Sequence, residues 1–173
     1  MQKNILITGA TDGIGLETAK MLAVQEHNLI IHGRNPDKLA DVEKILSAMS
    51  TGGKLTSYLC DLSELKDVER LGAKIAENHT SLDVLINNAG VFKVQNPATG
   101  DGLDVRFAVN TIAPYILTKK LLPLFNISGR IINLSSAAQA PVDATILAGP
   151  SRLSDNEAYA QSKPALTMWS CHM

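Results

Sequence analysis

The sequence predicts an α/β fold, a three-layer doubly wound parallel sheet of about five strands with helices on both faces. Three observations carry the prediction. Short apolar runs alternate with amphipathic stretches of helical period along all 173 residues. The connections are short, so each helix crosses back to return a parallel neighbouring strand. A glycine-rich loop separates the first apolar run from the first helical stretch. No internal repeat, low-complexity segment or linker interrupts the pattern, so residues 1–173 read as one domain.

Lys3 to Thr8 is β-branched and apolar and ends at Gly9, as a buried parallel strand does. Ile14 to Ala23 follows as a helix, and Asn28 to His32 as a second strand. Asn35 then offers an N-cap with Pro36 in the first helical position. Leu39, Val42, Ile45, Leu46 and Met49 hold one face of that helix. Lys54 to Leu59 is the third strand. Ser63 caps a helix with Leu65, Val68, Leu71 and Ile75 on one side. Asp83 to Ile86 is the fourth strand. Leu103 to Leu122 is a long helix closed by Pro123, and Arg130 to Leu134 is the fifth strand. Residues 137 to 156 carry two prolines and a glycine and read as loop; Asn156 to Trp169 is the last helix.

Composition narrows the function. Apolar residues make up 45% and charged residues 19%, with a net charge of −1. That composition is globular and lacks the basic surface of a nucleic-acid binder. Two cysteines, Cys60 and Cys171, make a disulfide framework unlike this chain and point to a reducing, cytoplasmic setting. No apolar run approaches the ~18 residues of a membrane span, and the N-terminus is not patterned as a signal peptide. No metal-ligand spacing surrounds His27, His32, His79 or His172.

Thr8-Gly9-Ala10-Thr11-Asp12-Gly13-Ile14-Gly15 ends the first strand and opens the first helix. Glycines there let the backbone approach a pyrophosphate, while the helix N-terminus offers free N–H groups and a positive dipole end. A glycine turn without a ligand is the plain alternative. Tyr159-Ala160-Gln161-Ser162-Lys163 sets tyrosine and lysine four residues apart, on one helical face. A free tyrosine ionises near pH 10, and an ammonium beside it favours the phenolate. Such a pair alone is ordinary helix surface. Ser135 and Ser136 end the fifth strand, where open α/β sheets bind ligands.

The spacing Gly-x-x-x-Gly-x-Gly, Asp61, Asn87-Asn88-Ala89-Gly90, Asn110, the serine pair and Tyr-x-x-x-Lys occur in one order. In that order the chain resembles the short-chain dehydrogenase/reductase family, from Ile5 to Trp169, and within it the retinol-dehydrogenase-like, broad-specificity members. The resemblance implies a Rossmann fold with strand order 3-2-1-4-5. It also implies a nicotinamide cofactor held by Gly9, Thr11, Asp12, Gly13, Ile14, Gly15, Asp61, Leu62, Asn88, Ala89 and Gly90. Gly33 stands where NAD-preferring relatives carry an acid, and Arg34 follows it with a fork suited to a 2′-phosphate. NADP(H) is therefore the preferred cofactor, with NAD(H) the alternative. The glycine loop has Asp12 where many NADP-preferring relatives have a basic residue.

The same resemblance implies hydride transfer between nicotinamide and a carbonyl or secondary alcohol. Tyr159 moves the proton, Lys163 lowers its pKa and holds the ribose, Ser136 orients the substrate oxygen, and Asn110 supports a proton relay. Homodimerisation through the long helix and the last helix is also implied. The stretch between Ser136 and Tyr159 is longer than in many relatives. Its Val142, Ile146 and Leu147 either wall an apolar substrate pocket or form a surface excursion. Two departures from the family shape the expectations. Full relatives continue well beyond Lys163, so the chain reads as a C-terminally truncated form with an open edge on the fifth strand. Pro164 falls inside the last helix, removes a hydrogen bond to the carbonyl of Ala160 and biases Lys163 away from helical geometry. Reduced turnover, or a non-catalytic nucleotide-binding or dimerising remnant, is the competing reading.

Overall fold

The computed structural model describes residues 1–146 and 153–173. Its strands are β1 (Asn4–Ile7), β2 (Asn28–Gly33), β3 (Leu55–Leu59), β4 (Leu82–Asn87) and β5 (Phe125–Asn133). All pair in parallel, in the order β3-β2-β1-β4-β5. The helices α1 (Gly13–Val24), α2 (Pro36–Met49) and α3 (Leu65–Asn78) make the crossovers. The long helix is continuous through α4 (Val105–Phe107), a π-helical turn (Ala108–Ile112) and α5 (Ala113–Leu121). The last helix is α6 (Asp155–Ser170).

Strand alternation builds two cores. Ile5, Ile7, Leu29 and Ile31 point to one face, against Ala19 and Ala23 of α1 and Leu39, Val42 and Leu46 of α2. Leu6, Ile30 and Leu85 point to the other, against Val68, Leu71 and Ile75 of α3 and Leu117 and Leu121 of α5. Each fully buried Leu or Ile contributes about 1.5–3 kcal/mol of transfer free energy. The three-layer arrangement and the strand order match the sequence reading.

Several local expectations need correction. Ser63 does not cap α3: the cap residue is Glu64, without a side-chain cap bond, and Ser63 binds Asp61 instead. Asn35 caps α2 as read, accepting from the Lys38 N–H at 2.9 Å. The long helix is interrupted by a π turn that the helical pattern of Leu103 to Leu122 does not predict. Pro114 has no N–H and would crowd the carbonyl of Asn110 in a regular helix; the wider turn before it gives room, with the Ala113 N–H bonded to Ala108 O. β5 begins at Phe125, five residues earlier than read, with an irregularity opposite Leu82–Val84. α6 starts at a capping box in which Ser154 and Glu157 exchange side-chain-to-backbone bonds. Pro164 does not break α6, which runs through it, and Lys163 stays helical and buried. Val142 and Ile146 pack against Phe107, Ala158 and Ala165 rather than facing the cleft described below; Leu147, Gly149 and Pro150 lie outside the described residues.

Candidate active site

The carboxyl ends of β1, β2, β4 and β5 border one open cleft of about 690 Å³. Its floor at β1 is the glycine loop. Gly9 has φ +65°, and a Cβ there would stand 2.8 Å from the Ala89 backbone. A Cβ at Gly15 would meet the Gly9 carbonyl oxygen at 2.3 Å, so α1 can approach this loop only with glycine there. Asn88 Nδ2 donates to the carbonyls of Thr8 and Gly9, both at 2.9 Å. Thr8 Oγ1 accepts the N–H groups of Asn88 and Ala89, both at 3.1 Å. β1 and β4 thus brace one another beneath the first turn of α1.

Thr11, Asp12, Gly13 and Ile14 carry the lining over that turn. Asp12 is the N-cap of α1 and accepts from the Gly13 N–H at 2.8 Å. Its carboxylate also pairs with Lys38 Nζ at 3.0 Å, and this bond foremost holds its pKa below the usual carboxylate range. Sequence reasoning missed Lys38. It brings a second cation to the end of the cleft where Arg34 stands exposed beside Gly33. Asp61 and Leu62 line the same end; the Asp61 carboxylate accepts from the N–H and hydroxyl of Ser63.

His32 was also missed. It is 3% exposed and spans the gap between strands. Its Nδ1 accepts from the Gly9 N–H at 3.2 Å, which puts the ring proton on Nε2, 3.0 Å from the Cys60 carbonyl. Burial lowers its pKa, against smaller opposing effects from that carbonyl and from Asp61. The unfolded chain therefore takes up the proton first, near pH 6.5, so stability falls as pH drops below that value. His79 shifts the same way. We expect the melting temperature to decline from about pH 7 to about pH 5, each such group adding at most about 1.4 kcal/mol per pH unit. His32→Gln should flatten the decline; a variant with the wild-type slope would refute a buried neutral ring.

At the opposite end Tyr159 and Lys163 line the cleft from α6. Lys163 is 5% exposed, its Nζ donates to the Leu134 carbonyl at 2.7 Å, and burial lowers its pKa. The ammonium stands 5.8 Å from the Tyr159 ring centroid. The Phe92 ring centroid lies 4.9 Å from that of Tyr159. Asn110 is buried in the π turn behind this pair rather than on the lining. Its Oδ1 accepts from the Val91 N–H at 2.8 Å, and its Nδ2 donates to Val91 O and Ser162 Oγ. Gly90 leaves room between: a Cβ there would lie 3.4 Å from both Asn110 Oδ1 and Lys163 Nζ.

Ser136 is not on the lining; its Oγ accepts the Ala138 N–H at 3.1 Å. Ser135 lines the cleft, with its hydroxyl 2.9 Å from Thr167 Oγ1. Among the described residues no group of three or more His, Cys, Asp or Glu side chains could hold a metal, and no helix is long and apolar enough to cross a membrane.

A family model for short chain dehydrogenases matches residues 3–173. Human polyprenol dehydrogenase is 34% identical over 97% of this chain and 53% of its own length. Human retinol dehydrogenase 13 is 35% identical over 97% of this chain and 52% of its own. The chain thus spans about half the length of the curated relatives it matches. Among solved structures, a metagenomic short-chain oxidoreductase in complex with NADP superposes with a TM-score of 0.77 at 30% identity, covering 98% of this chain and 73% of that one. The RhlG/NADP complex of Pseudomonas aeruginosa gives 0.75 at 28% identity, covering 97% and 64%. With the family model matching residues 3–173 and these relatives at 34–35% identity, the chain belongs to the short-chain dehydrogenase/reductase family.

Proposed function

We propose that the cleft binds NADP(H) in preference to NAD(H), and that the chain carries the proton-transfer site of an oxidoreductase acting on carbonyls and secondary alcohols. The observation that carries the reading is continuity: one cleft runs from the N-terminus of α1 to Tyr159 and Lys163. The residues fit the cofactor. A Cβ at Gly9 or Gly15 would collide with neighbouring groups, so only glycine lets the loop and the first turn of α1 pack this closely, and the N–H groups of that turn would hold a pyrophosphate. Arg34 and Lys38 supply cations at the ribose-phosphate end. The NADP in the two structural relatives named above supports that choice.

When bound, the nicotinamide supplies or accepts the hydride. The chain's own residues do the rest. The Lys163 ammonium, anchored on Leu134 O, favours the phenolate of Tyr159, which passes a proton to or from the substrate oxygen. Asn110 holds the Val91 backbone and Ser162 and so fixes the packing behind Lys163. Phe92 offers an apolar ring beside the ring of Tyr159, which suits an apolar substrate. A cytoplasmic setting and pairing of two copies through the long helix and α6 belong to the same reading, the latter supported by exposed Tyr115 and Met168.

A second reading, nucleotide binding without turnover, is favoured by Ser136, which does not line the cleft. Fluorescence titration of the chain with NADPH and with NADH tests the shared part. NADPH should bind at least about tenfold more tightly, and Arg34→Ala should remove most of that difference, as a charge-assisted contact of about 1.5–3 kcal/mol implies. Equal affinities would refute the cofactor preference, and binding of neither would refute the reading.

A further inference from the structure

Pro164 leaves the carbonyl of Ala160 without the helical partner that a residue with an N–H at position 164 would supply. That carbonyl is not idle. It accepts the N–H of Ala140 at 2.8 Å, from the loop that follows β5. One residue on, Gln161 Oε1 accepts the N–H of Asp143 at 3.0 Å. Ala160 and Gln161 directly follow Tyr159, and Ala140 lies four residues past Ser136. The segment between is short and internally tied: the Ser136 Oγ accepts from Ala138, and Gln139 Nε2 donates to Ser136 O at 3.1 Å. Val142 and Ile146 press the same loop onto Phe107 and Ala158.

We infer that Pro164 is a positioning residue. By withholding an N–H from Ala160 O, it reserves that carbonyl for Ala140 and so fixes the Ser136 loop in register with the helix that carries Tyr159. A carbonyl in a regular helix has its best-aligned lone pair taken by the N–H four residues on; a loop donor then competes for an occupied acceptor. Proline removes the competitor without moving the carbonyl, because α6 is continuous on both sides of it. The expectation that Pro164 disturbs the site is thus reversed: it supplies the docking point. That this docking matters to turnover rests on the function proposed above; the docking itself does not.

Amide hydrogen exchange, resolved by residue in the chain without nucleotide, tests this. Pro164→Ala restores the competing N–H and suits a helix interior, so α6 keeps its protection. The Ala140 amide should then exchange roughly tenfold faster, while the Asp143 amide, held by the Gln161 side chain, moves far less. Gln161→Ala should produce the converse pattern. An Ala140 amide unchanged in Pro164→Ala would overturn the inference. A second arm removes the donor. Ala140→Pro should lower the melting temperature with Pro164 present, and by clearly less when combined with Pro164→Ala, which gives the carbonyl a helical partner; additive effects would overturn it. Where turnover is measured, Pro164→Ala should lower kcat with NADPH affinity unchanged. The exchange result is read whether or not NADPH binds, so failure of the docking and failure of the proposed function are told apart.

Discussion

Tyr159→Phe is expected to lower carbonyl-dependent NADPH oxidation by a factor of about 10²–10⁴ while leaving NADPH affinity within roughly fivefold. The substitution deletes one oxygen and little packing. The ring stays against Phe92, at 4.9 Å between centroids, and beneath the Lys163 ammonium, at 5.8 Å. What disappears is the only phenol among the described residues lining the cleft. The loss should fall equally on kcat and kcat/KM, because the missing proton transfer is felt in the transition state and not in binding. Lys163→Met should differ. It removes the donor to Leu134 O as well as the charge beside the ring, so affinity and turnover should both fall. Absorbance-followed NADPH oxidation with an apolar ketone, alongside the fluorescence titration, separates the two. Turnover of Tyr159→Phe within tenfold of the wild type would remove Tyr159 from the chemistry. Wild-type protein that binds NADPH but does not oxidise it would place the chain under the second reading.

The frame of this site is legible in sequence because its signals are local. Ile5 to Ile7, Leu29 to Ile31 and Val84 to Ile86 are apolar on both faces, as strands covered on both sides must be. The Gly9–Gly15 loop and Asn35-Pro36 cap are set by neighbours in the chain. Contacts made by distant segments were not legible. Lys38 meets Asp12 only because the N-termini of α1 and α2 converge over β1 and β2. His32 reads as a buried strand residue, but its bridge between Gly9 and Cys60 exists only across three strands. The hydroxyl of Ser136 is turned by Ala138 in a loop whose course is set by α6. Two features carried signals that were open to reading. Ser154-x-x-Glu157 is a capping box, and Pro114 inside a long helix calls for a widened turn.

The largest expected loss of stability comes from Arg106→Met, about 3–5 kcal/mol. Arg106 and Asp104 side chains are each 1% exposed, and the guanidinium grips the carboxylate with two bonds, Nε to Oδ1 at 2.8 Å and Nη2 to Oδ2 at 2.6 Å. Asp104 is also the N-cap of α4, accepting from the Arg106 N–H at 2.9 Å. The third guanidinium contact reaches Asp155, the first residue of α6. One side chain therefore ties together the starts of the two helices that bear Asn110 and the Tyr159–Lys163 pair. Methionine fills similar volume but strips two guanidinium bonds from a buried carboxylate, and removing one side of a buried pair costs more than the pair itself is worth. The melting temperature should fall by roughly 10 °C, and NADPH affinity should fall with it as α6 loosens. Asp155→Asn is the control. Its side chain is 41% exposed, so the contact is screened by water and should contribute less than about 1 kcal/mol. Equal losses in the two variants would mean that the buried Asp104 pair does not hold the helix starts. A loss confined to Arg106→Met, accompanied by weaker NADPH binding, would make this pair the support on which the Tyr159–Lys163 end of the cleft stands.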